Sequence, residues 1–157
     1  MFSLGDKIVH PMQGAGIIEQ IEERRILGQT KQYYVLKLPC SDLNVMIPVE
    51  AELSVGIRPI VGTEKVEEAI NVLKAESTEM DSNWNRRNRD NLDMLKTGDI
   101  LKVAEVVRNL LRIDRAKGLS AGEKKMLANA RQILVSEIIL SCQISESEAV
   151  KLVEEAV

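Results

Sequence analysis

The sequence predicts an α+β protein in two parts, an N-terminal β unit over residues 1–62 and a C-terminal all-α unit over residues 63–157. Two observations lead to this division. All four prolines and six of the nine glycines lie in the first 62 residues, where short apolar runs alternate with turn residues. After residue 62 the apolar residues recur at helical spacing, and capping residues precede most of the stretches.

Five short strands are predicted in the first part. Sequences such as Leu27-Gly28-Gln29 and Cys40-Ser41-Asp42 are typical of turns that join neighbouring strands. Five strands in about 60 residues suit a small, strongly bent barrel of SH3-like or Tudor-like shape. The predicted strands are Lys7–His10, Gly16–Ile26, Gln32–Leu38, Leu43–Val49 and Ile57–Val61.

The second part begins with two predicted helices that are separated by a polar linker. Thr63 is expected to cap the first helix, which carries apolar residues on one face. Residues 75–83 are polar and acidic and are predicted to form the linker. The second helix is predicted over Asn85–Lys96.

Three further helices have clear start signals. Asp99 is expected to cap the third helix, which Gly118 ends. The last two helices open with capping boxes, because in each a serine is followed three residues later by a glutamate. The fourth helix, to about Cys142, is apolar on more than one side and is expected to run through the middle of the bundle. The two capping boxes are Ser120–Glu123 and Ser145–Glu148.

The chain has a formal net charge of −3, but its charges are unevenly distributed. Residues 82–131 hold 12 basic and 6 acidic side chains, whereas residues 63–81 hold 2 and 6, and residues 132–157 hold 1 and 5. A local basic face can attract a polyanion in spite of an acidic total. Alternatively, these lysines and arginines solvate helix surfaces, and the composition leaves both interpretations open.

No set of residues has the pattern of an enzyme centre or a metal site. The single histidine, His10, precedes Pro11 and is expected to fill a turn, since no partner for acid–base catalysis is evident. Cys40 and Cys142 are far apart and form neither a CxxC motif nor a Cys/His cluster. We therefore predict a binding protein with no catalytic residue, no metal and no cofactor.

The composition and the N-terminus favour a cytoplasmic protein that does not contact a membrane. Hydrophobic residues make up 45% and charged residues 29%, which is typical of a globular chain. No apolar run approaches the roughly 18 residues that a membrane span needs, and the first residues lack the pattern of a signal peptide. Two cysteines without a pairing pattern fit a reducing compartment.

Trp84, the only tryptophan, is followed by a cluster of basic residues. Arg86 and Arg89 stand three residues apart and share a helix face. Lys124 and Lys125 open the fourth helix, where free backbone N–H groups and the helix dipole also favour phosphate. Two interpretations stay open: the indole packs the linker against the helices, or it is an exposed wedge flanked by phosphate-binding side chains.

Four further arginines lie near this cluster in the sequence. Arg87 is offset by one residue from the face that Arg86 and Arg89 share. The other three line the third helix at helical spacing, so they either extend the basic patch or form salt bridges to the acidic segments; they are Arg108, Arg112 and Arg115.

Several sequence blocks follow one another through nearly the whole chain: Gly5–Pro11 with Gly14–Gly16, Leu43–Pro48, Val55–Arg58, Asn83–Arg87, Gly98–Asp99 with Val103–Arg108, Gly118–Leu127 and Ala130–Leu134. Taken together and in this order, they resemble the CarD/CdnL family of bacterial transcription regulators. Any single block is short, and the specificity comes from the ordered set.

The resemblance implies a Tudor-like N-terminal domain that binds the β subunit of RNA polymerase. It also implies a helical C-terminal domain that touches promoter DNA at the upstream edge of the melted bubble. The family's tryptophan corresponds to Trp84. Its basic DNA contacts correspond to Arg86, Arg87, Arg89, Lys124 and Lys125.

The resemblance also implies a polymerase-binding surface in the N-terminal domain. One arginine of the family's contact surface falls on Arg24. A second position that is commonly arginine is Met46 here, so either a hydrophobic contact replaces a charged one or the partner surface differs. Ile26 lies two residues beyond Arg24 on the same strand face and is expected to join this surface.

These implications combine into one expected function, that of a monomeric regulator that stabilises the promoter open complex. The barrel docks on polymerase, and Trp84 wedges into the minor groove at the bubble edge without reading the base sequence. The alternative is an adaptor that binds only proteins, with Trp84 in the core. A blue-shifted and protected emission of the single tryptophan would favour that alternative.

Overall fold

The computed structural model describes all residues from Met1 to Val157, and it confirms the α+β class. The N-terminal part contains five strands, which are β1 (Lys7–His10), β2 (Gly14–Ile26), β3 (Gln29–Lys37), β4 (Asn44–Pro48) and β5 (Arg58–Pro59). They form one antiparallel sheet in the order β4-β3-β2-β1-β5, so β4 and β5 are its edge strands.

The turn between β2 and β3 is shorter than predicted. Ile26 pairs with Gln29, which leaves only Leu27 and Gly28 in the turn. Their φ angles are 52° and 77°, and two consecutive positive values match the right-handed twist of a two-residue hairpin. Both strands therefore continue to the turn, and the prediction that Gln29 is a turn residue was wrong.

The last strand is also shorter than predicted, since it covers Arg58–Pro59 rather than Ile57–Val61. A single π-helical turn over Glu52–Gly56 precedes it. Pro59 has no N–H to donate, and proline is tolerated here because β5 is an edge strand. The pairing continues for one more bond, from Ile60 N to Lys7 O at 3.2 Å.

One face of the sheet carries a small hydrophobic core. Tyr34 is fully buried in it, and its hydroxyl accepts a hydrogen bond of 2.9 Å from Phe2 N. A core of this size contributes little stability by itself, so the sheet depends on the helices that pack against it. The buried residues of this cluster are Ile8, Ile18, Tyr34, Leu36, Leu38, Ile47 and Ile57.

The C-terminal part contains the five predicted helices: α1 (Thr63–Lys74), α2 (Trp84–Lys96), α3 (Ile100–Lys117), α4 (Ala121–Cys142) and α5 (Glu146–Ala156). Helix α4 lies in the middle, as predicted, because it contacts each of the other four helices and β2. None of these helices combines the length and the apolar character that crossing a bilayer requires.

Most of the predicted helix caps are confirmed. Asp99 accepts a hydrogen bond from Leu101 N at 2.9 Å, and the serines of both capping boxes accept the expected backbone N–H. The prediction for Thr63 was wrong, because Gly62 is the N-cap and Thr63 is the first helical residue. The carbonyl of Gly62 accepts the first helical hydrogen bonds, and no side chain caps α1.

A buried ion pair joins the sheet to α4. Arg58 in β5 forms two parallel hydrogen bonds with Glu137, from Nη1 to Oε2 at 2.7 Å and from Nη2 to Oε1 at 2.8 Å. Glu137 is 1% exposed and also accepts Val61 N at 2.9 Å, while Nε of Arg58 donates to Gly98 O at 2.7 Å. Every polar atom of the carboxylate is thus paired, which burial of a charge requires.

The start of β2 also fits closely against α4. Ala15 N donates to Ser136 Oγ at 2.9 Å, and the neighbouring Gly14 has a φ of 97°. A Cβ atom on Gly14 would lie 2.8 Å from Ser136 Oγ. Glycine is therefore required at this position both by its backbone conformation and by the space available.

Candidate functional site

The N-terminal turns of α2 and α4 lie side by side. Asn83 caps α2 by accepting a hydrogen bond from Arg86 N at 3.2 Å, so Trp84 is the first residue of the helix. The indole lies along the first turn of α4, because a Cβ atom on Gly122 would stand 3.4 Å from Trp84 Cζ2. Trp84 is 46% exposed, which places it outside the hydrophobic core.

The first two turns of α2 and of α4 also carry four basic residues that have no acidic partner. They are exposed, and they take part in none of the ion pairs of the protein. Together with Trp84 they are called the Trp surface, which consists of Trp84, Arg86, Arg89, Lys124 and Lys125. Unpaired cations can bind phosphates, and an exposed aromatic ring near them can stack on a base.

Arg87 differs from these four residues because it is paired inside the protein. Its Nε donates to Glu123 Oε2 at 3.0 Å and its Nη2 donates to Oε1 at 2.9 Å. Glu123 is 6% exposed. The hydrogen bond to this carboxylate raises the pKa of Arg87 above its ordinary value. The role in DNA binding that the resemblance implies for Arg87 stays a prediction, and its observed partner is Glu123.

The three arginines of α3 also have partners within the protein. Arg108 is 3% exposed, and burial lowers its pKa from the ordinary value. All three donate to carbonyl groups in the last turns of other helices, where carbonyls lack the regular helical partner four residues on. Arg108 donates to Val72 O at 2.9 Å, Arg112 to Leu73 O at 3.1 Å, and Arg115 to Glu154 O and Val157 O at 2.8 Å each. They therefore hold the bundle together and are not part of the Trp surface.

The same helix fixes the linker that leads to Trp84. Thr78, in the middle of the linker, is bonded to Asn109 by two hydrogen bonds, from Asn109 Nδ2 to Thr78 Oγ1 at 2.8 Å and from Thr78 N to Asn109 Oδ1 at 3.3 Å. Its hydroxyl also donates to Glu105 Oε1 at 2.9 Å. The acidic linker is thus attached to α3.

A second candidate surface lies on the sheet and is called the sheet surface; it consists of Arg24, Ile26 and Met46. The register places these residues on one face, because Met46 pairs with Val35, which in turn pairs with Gln20, and positions 20, 24 and 26 of β2 share a face. Ile26 is 51% exposed, and the side chain of Arg24 is held by Glu22 at 3.3 Å. Met46 lies on the edge strand β4 and is half-buried.

His10 has the structural role that the sequence predicted. Its Nδ1 accepts hydrogen bonds from Met12 N at 3.1 Å and from Gln13 N at 3.3 Å, which closes the turn after β1. Burial lowers the pKa of His10 below its ordinary value of 6.5. The protein contains no group of three or more His, Cys, Asp or Glu side chains that could hold a metal ion.

The residues that sequence reasoning missed are those that support the indole. The predicted linker includes Asn83, which is the N-cap of α2, and the sequence does not show that Gly122 lies against Trp84 or that Glu123 pairs with Arg87. One feature of the sequence could have indicated the ion pair of Glu123, since it is the single acidic residue between Gly118 and Lys125 in an otherwise basic region. The capping box with Ser120 explains the presence of Glu123 without an ion pair, so the sequence alone does not favour one.

Comparisons with known proteins agree in both parts of the chain. A family model described as "CarD-like/TRCF RID domain" matches residues 2–61, and one described as "CarD, C-terminal domain" matches residues 68–154. The chain is also similar to the protein named "Putative transcription factor YdeB" of Bacillus subtilis (strain 168). The two are 42% identical over 148 residues, which cover 94% of this chain and 97% of the relative.

Proposed function

Because this chain belongs to the CarD family of transcription factors, we propose that it binds the β subunit of RNA polymerase through its sheet and promoter DNA through its helices. In this proposal residues 1–62 form the polymerase-binding part and residues 63–157 the DNA-contacting part. The result is a longer-lived open complex, in which the two DNA strands are separated. The protein acts as a monomer in the cytoplasm and reaches the nucleoid through polymerase.

The observation that carries this proposal is the half-exposed indole of Trp84, which lies where the first turns of α2 and α4 meet, on two helix starts that carry four unpaired cations. A ring in this setting can insert at the upstream edge of the bubble. Unstacking a base step costs a few kcal/mol, but polymerase has already opened the duplex. The insertion therefore adds stabilisation to the open state, about 1–3 kcal/mol if the ring stacks on one base. Since ~1.4 kcal/mol is tenfold in an equilibrium constant, the lifetime of the open complex changes measurably.

The cations of the Trp surface account for DNA binding that does not depend on sequence. Contacts to phosphates fix position and orientation but do not read bases. A few such contacts bind DNA only weakly at physiological salt. Attachment to polymerase supplies the local concentration that these weak contacts need. The proposed protein therefore acts where polymerase is, with no operator sequence of its own.

The sheet surface is the proposed contact with polymerase. It joins one arginine with two apolar side chains, one of which lies on an edge strand. Arg24 supplies a charged contact, while Ile26 and Met46 supply apolar area. The junction of Arg58 with Glu137 holds the sheet on α4, so docking through the sheet also sets the place of the Trp surface.

The experiment that tests the DNA contact measures open-complex lifetime after a competitor is added. We expect Trp84→Ala to shorten the lifetime about tenfold and Trp84→Phe to shorten it less, because phenylalanine retains a smaller ring. Retention on immobilised polymerase serves as the control and is expected to be unchanged. Equal lifetimes for the wild type and Trp84→Ala would reject the wedge.

The experiment that tests docking compares two neighbouring arginines of β2. Arg24→Glu reverses a charge on the sheet surface, whereas Arg25→Glu makes the same change on the opposite face of the strand. We expect Arg24→Glu to reduce retention by polymerase and Arg25→Glu to leave it near the wild-type level. An equal effect of the two substitutions would remove Arg24 from the docking surface.

A further inference from the structure

The guanidinium group of Arg87 has no free edge for a phosphate. A bidentate contact needs two parallel N–H groups, and the edge formed by Nε and Nη2 is occupied by the two oxygens of Glu123. The remaining terminal nitrogen, Nη1, donates to Asp81 O at 3.2 Å and to Ser82 O at 3.4 Å. All three nitrogens of Arg87 therefore make contacts within the protein.

Glu123 is held as firmly as its partner. Its backbone N–H donates to Ser120 Oγ at 3.3 Å, which fixes the first turn of α4. Its carboxylate is buried, with 6% of the residue exposed, and lies in the N-terminal turn of the helix, where the dipole favours a negative charge. The carboxylate cannot turn to solvent without leaving Arg87 unpaired.

The same pair joins the elements that lie next to the indole. Trp84 is one helical turn before Arg87 on α2, and it lies against Gly122, the residue before Glu123. The Nη1 group of Arg87 binds the carbonyls of the chain segment that enters α2. The ion pair of Arg87 and Glu123 therefore connects three parts of the chain next to the ring: the segment before α2, the first turn of α2 and the first turn of α4.

We propose that Arg87 and Glu123 are positioning residues, whose pairing presets the Trp84 ring for insertion, and that Arg87 makes no phosphate contact of its own. This inference rests on the proposed function of Trp84. A ring that is already held loses less rotational freedom when it inserts, and an immobilised side chain changes an affinity by about two- to tenfold.

Glu123→Gln separates this role from direct DNA binding, because the two roles predict opposite changes in the open-complex lifetime. If Arg87 were a phosphate contact, removal of the neighbouring negative charge would strengthen DNA binding, lengthen the lifetime and steepen the salt dependence of binding. A positioning role predicts instead that Glu123→Gln shortens the open-complex lifetime two- to tenfold. Glu154→Gln is the matched control. Glu154 lies on α5, outside the Trp surface, and its carboxylate pairs with Arg131 of α4 at 3.3 Å.

A second readout needs neither polymerase nor DNA. Trp84 is the only tryptophan, so its fluorescence in the full-length protein reports on this ring alone. We expect Arg87→Gln and Glu123→Gln to increase acrylamide quenching and the amplitude of fast anisotropy decay, while circular dichroism stays at the wild-type level. Arg86→Gln is expected to leave both fluorescence measurements unchanged and to lower the slope of log affinity for DNA against log salt by about 0.9, as one lost phosphate contact does.

The outcomes separate the inference from the function on which it rests. If Arg87→Gln lowers the salt slope as Arg86→Gln does and leaves the fluorescence unchanged, Arg87 binds phosphate and the inference is overturned. If the fluorescence changes as expected but Trp84→Ala does not alter the open-complex lifetime, Arg87 and Glu123 do hold the ring, and the proposed insertion of Trp84 into DNA is rejected. If Glu123→Gln lowers the folded fraction, Glu123→Asp replaces it, because it keeps the charge but shortens the reach to Arg87.

Discussion

Helix α4 carries two glutamates that each bind an arginine with both oxygens, and the two pairs serve different parts of the molecule. Glu137 binds Arg58 and joins the helix to the sheet. Glu123 binds Arg87 and joins the first turn of α4 to the first turn of α2. The two positions are about 21 Å apart along the helix, at 1.5 Å per residue. One helix thus connects the proposed polymerase-binding part with the indole.

The surroundings of the two pairs differ in a way that matches these tasks. Glu137 is fully enclosed and accepts a backbone N–H as well, so this pair is a structural junction. Glu123 is 6% exposed, accepts no backbone N–H, and lies next to exposed cations in the sequence and close to a half-exposed ring. Identical chemistry therefore stabilises the whole protein at one end of α4 and orients a single side chain at the other.

The largest expected effect is the loss of stability on Glu137→Gln. This change removes the charge from a carboxylate that is 1% exposed and accepts three N–H groups from Arg58 and Val61, which costs about 3–5 kcal/mol. Glu123→Gln is expected to cost about 1–2 kcal/mol, because the Glu123 carboxylate is less deeply buried than that of Glu137 and accepts no backbone N–H. Urea denaturation of both variants measures the difference. Equal losses would mean that the two pairs are not distinguished by burial.

A smaller effect is expected from Gly14→Ala at the contact between β2 and α4. The added methyl group would meet Ser136 Oγ at 2.8 Å, and alanine is also strained at a φ of 97°. We expect a loss of about 2–3 kcal/mol. Gly28→Ala is the control, because Gly28 also has a positive φ but no atom within 4 Å of the added group, so about 1 kcal/mol is expected. If both variants lose the same amount, the junction is not closely packed.

The smallest expected effect is a pH dependence that originates at His10. Burial lowers its pKa in the folded protein below 6.5, so the unfolded chain binds this proton more tightly. The contribution of neutral His10 to stability is therefore present above pH 6.5 and is lost as the pH falls below it. His10→Asn retains an acceptor for the turn but does not titrate, and its stability is expected to change less between pH 7 and pH 5.5. Pro11, the residue after His10, lies against Gly98 beyond the C-terminal end of α2, whereas Trp84 begins this helix, so the fluorescence of Trp84 should remain constant over this range.

The elements that depend on nearby residues were predictable. The caps of Asp99, Ser120 and Ser145 follow from side chains that bond to the backbone two or three residues on, and all three are confirmed. Thr63 was placed one position wrong, because the carbonyl of Gly62 satisfied the first helical N–H groups without a side chain. The hairpin turn was predicted one residue too long, since a two-residue turn depends on the φ angles of both members.

The candidate site was predictable in its composition but not in its pairing. The sequence indicated Trp84 and the basic residues around it, and four of those five basic residues are exposed and unpaired. It could not indicate that Arg87 binds Glu123, or that Arg108, Arg112 and Arg115 bind carbonyl groups at the ends of other helices. A basic side chain on a helix looks the same in sequence whether it faces solvent or a distant acceptor.

The α+β class, the positions of nearly all strands and helices, and the family could be read from local patterns, because these depend on periodicity, on capping and on ordered blocks of residues. Which charges are free and which are paired became known from the packing of the helices and the sheet. The partners of Arg58 and Arg87 lie 79 and 36 residues further along the chain. Such partners meet only when helices pack, and a long, charged side chain is compatible with many neighbours until packing selects one.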